Sequence, residues 1–101
     1  MVKVKNMRSN NGNKIANQFI ITDNDKEIFQ SYDSVIAIKV RSCESNKLFI
    51  FLDEYYWDYS RTTGKYRNQF LGEGITETRK KIETGEYILK DLNSKGGDNE
   101  I

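Results

Sequence analysis

The sequence predicts an α+β fold: a mostly antiparallel sheet of about five to six strands, with two short consecutive helices in the C-terminal half followed by a final strand. Three observations lead there. Through Leu52, short alternating or β-branched runs recur between clusters of Gly, Asn, Asp and Ser, the pattern of strands joined by turns. Helix-capping residues with aromatic i, i+4 spacing first appear after Tyr59. Proline is absent, so glycine and small polar residues must make every break.

Val2 and Val4 alternate with Lys3 and Lys5 as on a half-exposed strand, and Ser9-Asn10-Asn11-Gly12-Asn13 ends it in a polar loop. Strand character resumes from Asn17 to Thr22. Asp23-Asn24-Asp25 is a tight-turn sequence and Lys26 to Ser31 returns, which makes residues 17–31 a hairpin. After Tyr32-Asp33-Ser34, the β-branched run Val35 to Val40 reads as a strand buried on at least one face. Ser42 to Asn46 is a loop, and the continuously apolar Leu48 to Leu52 takes a central position in the sheet.

Ser60, Thr62 and Thr63 are all N-cap residues, Tyr66 and Phe70 fall on one face, and Gly72 ends a helix of about two turns. Gly72-Glu73-Gly74 then bends the chain. A second helix begins at Thr76, places Ile75 and Ile82 on one face and Glu77 and Lys81 as an i, i+4 ion pair on the other, and stops at Gly85. Tyr87 to Leu89 is the last strand. Residues 1–92 form one domain with a flexible region at 8–14, and residues 93–101, with Gly-Gly and acids, form a disordered tail.

Composition narrows the function. A chain of 101 residues can bury ~65% of the surface its unfolded form exposes, enough for one core. The longest apolar run, Leu48-Phe49-Ile50-Phe51-Leu52, is too short to cross a bilayer, and a cytoplasmic location with no membrane partner is expected. Histidine is absent, which removes Ser-His-Asp and Cys-His catalysis and the usual zinc hydrolase sites. Cys43 is the single cysteine, so there is no intrachain disulfide and no thiolate-rich metal site. Glu54 and Asp58 are near enough to pair, but no third acid stands at a recognisable spacing. Gly72-Glu73-Gly74 lacks the Gly-Lys-Ser/Thr ending of a phosphate loop. No catalytic residue, metal or cofactor is therefore expected.

Net charge is +1, yet the signs are segregated. Residues 1–22 carry Lys3, Lys5, Arg8 and Lys14 and no acid, residues 23–58 have a net charge of −4, residues 59–82 of +4 and residues 83–101 of −3. Two basic blocks bind a polyanion together only if folding brings them to one face.

The second basic block overlaps an aromatic cluster. Tyr55, Tyr56, Trp57 and Tyr59, followed by Arg61, Lys65 and Arg67, mix the stacking platforms and phosphate-neutralising cations of single-stranded nucleic-acid binders. The same spacing also suits aromatics that cover a core beside solvated cations. Arg79, Lys80 and Lys81 fan around their helix, so at most two share a face. The candidate surface is Tyr56, Trp57, Tyr59, Arg61, Lys65, Arg67, Arg79 and Lys80.

The run Tyr56-Trp57-Asp58-Tyr59-Ser60 with Thr62-Thr63, then Tyr66-Arg67-Asn68 and Phe70-Leu71-Gly72-Glu73, resembles the signature of a family of small phage and prophage proteins of unknown function. Glu77 to Ile82, Phe29 to Tyr32 and Ile36-Ala37 extend the resemblance over residues 14–92. It implies a mobile-element accessory protein in the host cytoplasm, a class that includes DNA-metabolism helpers and inhibitors of CRISPR or restriction defences. It supplies no catalytic residue.

Two functions are expected from this. One is non-enzymatic binding of nucleic acid, single-stranded or through its backbone, by the basic-aromatic patch. The alternative is an anti-defence inhibitor that binds a host protein or mimics DNA with the acids from Asp23 to Asp58, which requires those acids to line one face.

Overall fold

The computed structural model describes residues 2–42 and 44–93; Cys43 and the expected tail from residue 94 onward lie outside the described residues. Strands β1 (Val2–Arg8), β2 (Lys14–Asp23), β3 (Lys26–Ser31), β4 (Ser34–Arg41) and β5 (Leu48–Asp53) form an antiparallel meander. Helices α1 (Arg61–Leu71) and α2 (Ile75–Thr84) then carry the chain across, and β6 (Tyr87–Lys90) returns parallel to β5. Spatial strand order equals chain order, β1 to β6. The α+β reading holds, and β5 lies inside the sheet, as its apolar run implied.

Local chemistry explains the breaks. Asn24, Tyr32 and Asn46 each take a left-handed backbone, with φ of 56°, 56° and 58°. Asparagine adopts that region readily, and tyrosine does so only where its surroundings hold it. Tyr32 is held by its N–H, which donates to the Asn17 carbonyl at 2.7 Å. Asn17 is itself left-handed, at φ 65°, where the β1–β2 register jumps between the Asn6–Phe19 and Arg8–Lys14 pairs. That bulge lets β2 begin three residues before the expected Asn17. The 8–14 region is closed by hydrogen bonds from Ser9 N–H to Asn13 O and from Gly12 N–H to Ser9 O.

Helix α1 is one turn longer than its spacing suggested, because Ser60 rather than Thr62 or Thr63 caps it: Ser60 Oγ accepts from Thr63 N–H at 3.1 Å. Gly72 ends it in the left-handed conformation at φ 73°. Phe70 reaches the sheet and packs on Phe29 with ring centroids 5.8 Å apart. Phe29, Ala37 and Leu52 face one another across β3, β4 and β5 and are fully buried under the helices. Tyr66 and Tyr87 complete this core, with Leu71 and Ile82 packed against it.

Among the described residues no helix lies over the other face of the sheet. Val4, Ile21, Ile28, Ile38, Phe51 and Ile88 are successive cross-strand neighbours from β1 to β6. In β3, β4, β5 and β6 they alternate with the buried helix-side residues Phe29, Ala37, Leu52 and Tyr87. The four central ones are only half-buried although strands flank them on both sides, and Val4 and Ile88 are exposed. Among the described residues no helix is long and apolar enough to cross a membrane.

Asn93, assigned to the tail by composition, is fastened to the domain. Its side chain accepts from Val35 N–H at 2.8 Å and donates to Val35 O at 2.9 Å, a two-point contact that extends the ordered chain past β6.

Candidate functional site

The aromatic segment is a loop between β5 and α1, and its shape is set by one buried carboxylate. Asp53 at the end of β5 is fully buried. Its Oδ2 accepts from the N–H groups of Tyr55 at 3.0 Å and Tyr56 at 2.9 Å, while Oδ1 accepts from Leu92 N–H at 2.7 Å. Three amide donors on one carboxylate fix the loop and the exit of β6 together. The apolar run ends at Leu52, and the sequence contains no signal for this role of Asp53 beyond an acid at a strand exit.

Arg67 is a second organiser and not a surface residue. It is 1% exposed. Its Nη1 donates to Trp57 O at 2.8 Å and to Asp58 Oδ1 at 3.0 Å, its Nη2 donates to Asn68 Oδ1 at 2.9 Å, and the guanidinium lies 5.3 Å from the Trp57 ring centre. The expectation that Arg67 reads phosphate is thereby corrected: its two Nη groups are turned inward and held by the loop and by Asn68 of α1, while its buried Nε has no partner among the described residues. Trp57, half-buried against the core, belongs to the same packing unit.

The remaining candidates stay on the surface. Tyr59 is 48% and Tyr55 69% exposed, and Tyr56 meets Tyr59 edge to face at 5.2 Å. Arg61 and Lys65 stand one turn apart on the exposed side of α1. Neither they nor Lys80 forms an ion pair with any described residue. Arg79 reaches from α2 to Asp58 Oδ2 at 3.3 Å and remains largely exposed, so it flanks the loop. Asp58 therefore bridges two arginines.

Folding also brings the two basic blocks together. Gln69 continues the Arg61–Lys65 stripe by another turn and donates to the Arg8 carbonyl at 2.9 Å. Beside it Lys5, Asn6, Met7, Arg8, Ile20 and Gln69 line an open cleft of about 260 Å³. Arg8 and Lys5 thus lie beside Gln69, with the Arg8 guanidinium donating to the Gly12 carbonyl at 2.9 Å, a neighbourhood that no local spacing could have revealed. The first turn of α1 carries no acid, so its N-terminal partial positive charge is left to the loop side.

Lys81 is directed elsewhere. Its ammonium pairs with Glu73 Oε1 at 2.7 Å, not with Glu77 as helical spacing suggested, and lies 5.3 Å from the Tyr87 ring centre. Thr78 Oγ1 also donates to Glu73, at 2.8 Å. Glu73 is favoured because it is almost buried, where a charge pair is worth more than on the solvated face of Glu77. Burial works to raise the Glu73 pKa, but the hydrogen bonds from Lys81, Thr78 and Tyr87 outweigh it and hold the carboxyl below its ordinary 4.5. The Glu73 hydrogen bond raises Lys81, and burial, then Glu73, push Tyr87 up to about 12.

Because the folded Glu73 value lies below the unfolded one, its stabilisation is complete above pH 4.5 and fades as pH falls through the folded value. Glu73→Gln is expected to lower stability by about 2 kcal/mol at neutral pH. Its urea midpoint should converge with that of the parent as pH falls below 4.5 through the folded Glu73 value. Parallel midpoint curves across that range would refute the assignment.

The acids from Asp23 to Asp58 do not form a row. Asp23 lies on the helix-free face beside Val2, Glu27 lies on the helix side against Lys39 at 4.0 Å, and Asp33 sits in the β3–β4 turn at the opposite end of the sheet. Among the described residues no group of three or more His, Cys, Asp or Glu side chains is placed to hold a metal ion.

A family model described as a family of unknown function (DUF8033) matches residues 2–88. No curated protein and no solved structure matches the chain.

Proposed function

We propose that this chain, which belongs to the family of unknown function DUF8033, is a non-enzymatic binding protein for single-stranded nucleic acid. The observation that carries the proposal is the juxtaposition of exposed Tyr55 and Tyr59 with Arg61 and Lys65, cations without ion-pair partners among the described residues. Rings held by a rigid loop accept base stacking, and the adjoining cations neutralise the backbone. Arg8 and Lys5 prolong the basic track past Gln69. Arg79 and Lys80 provide a second bank of charge on α2.

DNA mimicry is the weaker reading, because the acids it needs are divided between two faces and two ends of the sheet.

Titration of a fluorescent single-stranded oligonucleotide is expected to give affinity that falls steeply with salt, each lost phosphate contact reducing the log–log slope by about 0.7. Lys65→Ala and Arg61→Ala are each expected to reduce that slope and leave the melting temperature unchanged. Tyr59→Ala should weaken binding by about 1–3 kcal/mol with the slope retained. An absence of binding even at low salt would sink the proposal.

A further inference from the structure

We infer that the helix-free face of the sheet is an interface with a second copy of this chain, giving a dimer with helices on both outer sides. The row Val4, Ile21, Ile28, Ile38, Phe51 and Ile88 crosses all six strands without a polar member. On the helix side, the next residues along β3, β4 and β5 are Phe29, Ala37 and Leu52, fully excluded from water. The difference between the two faces is the missing layer. An antiparallel sheet with one solvated face normally alternates apolar with polar residues, and here the central row of the open face is apolar too, with Asp23, Lys26 and Lys90 in the rows that flank it.

Three observations favour a second copy as the missing layer. First, six strands ~4.8 Å apart, read over five residues of ~3.3 Å rise, give a flat footprint of roughly 480 Å². Two copies then bury roughly 960 Å² before side-chain relief is added, close to the lower bound of about 1,000 Å² for a specific interface. Second, residues 94–101 contribute only Ile101 as an apolar side chain, too little to cover a six-strand row. Third, the sheet edges are unsuited to pairing: β1 carries Lys3 and Lys5 and a register break, and β6 has four residues. Self-association is thereby directed to the face.

A two-fold arrangement sets each row against its own copy, the isologous contact that closes a dimer without leading to fibres. Two stacked sheets ~10 Å apart then form a sandwich core. Lys90 lies over Phe51, a member of the row, at 5.4 Å, and Lys47 lies near Phe49 at 5.9 Å; in the dimer their stems cover apolar surface while their heads turn to water at the rim. The basic-aromatic surfaces point away from the interface and remain free in both copies.

Sedimentation velocity of the full chain tests this, with samples from about 1 to about 100 µM because dimer population follows concentration. The expected species is twice the 11.8 kDa chain. Ile38→Lys, at the centre of the row, is expected to raise the dimer dissociation constant about thirtyfold or more, the effect of losing an interface hot spot. Val4→Lys alters a residue already 61% exposed in the single chain, so the fold tolerates it, and it should weaken the dimer about fivefold, as expected at a rim. Circular dichroism of both variants should match the parent. A parent chain that stays monomeric at the highest concentration overturns the inference, whether or not the face then binds lipid vesicles or another protein. A dimer unchanged by both substitutions also overturns it.

Discussion

Arg67→Ala is expected to destabilise the domain by about 3 kcal/mol, since it removes a fully buried side chain that donates to three acceptors, even though Asp58 keeps Arg79 as a partner. The lost groups are specific. Trp57 O, Asp58 Oδ1 and Asn68 Oδ1 lose their donor, the Trp57 ring loses the cation beside it, and a void opens between α1 and the aromatic loop. For a domain of this size the melting temperature should fall by about 12–24 °C. Arg67→Lys should recover only part of it, because a single ammonium cannot span partners that the planar guanidinium reaches together. A melting temperature unchanged by Arg67→Ala, with oligonucleotide affinity reduced, would return Arg67 to the binding surface.

Asp53→Ala is expected to cost about 4 kcal/mol, from three amide donors that lose a charged acceptor in a site closed to water. The effect should be local as well as global. Hydrogen exchange at Tyr55, Tyr56 and Leu92 should accelerate more than at Phe29 or Ala37, since the loop and the β6 exit share that one carboxylate. Asp53→Asn retains a single acceptor oxygen and should lie between the two. Equal acceleration at all five amides would show that Asp53 acts through overall stability alone.

These two residues mark where the sequence stops being legible. The strands could be read because alternation and turn chemistry are properties of neighbours along the chain, and Val35 to Val40 and Leu48 to Leu52 were placed correctly on that basis. The helices could be read from Tyr66 and Phe70 and from the glycines at their ends. Arg67, by contrast, has the same local pattern as Lys65. One is buried and one exposed because α1 presents them on different sides, and only the position of the Trp57–Asp58 loop gives Arg67 its partners. Likewise Lys81 chose Glu73 over the regularly spaced Glu77 because the α1–α2 bend brings Glu73 into a drier position.

The aromatic and basic segment from Tyr55 to Ile82 was therefore legible as important and not as divided. Its surface part is Tyr55, Tyr56, Tyr59, Arg61, Lys65, Arg79 and Lys80, and its internal part is Trp57, Arg67, Tyr66 and Phe70. Arg8 and Lys5 are brought beside the first group only through Gln69, 61 residues from Arg8 in the chain.

The sequence by itself determined the class of fold, the order of its elements and the absence of histidine chemistry, because periodicity, capping and composition are local or global sums. Tertiary structure alone decided that β6 pairs in parallel with β5, that Arg67 is buried, that Arg8 meets Gln69 and that no described helix covers the face of the sheet with the apolar row. Each depends on distances between residues far apart in the chain, and a strand apolar on both sides does not itself specify which side the helices will cover.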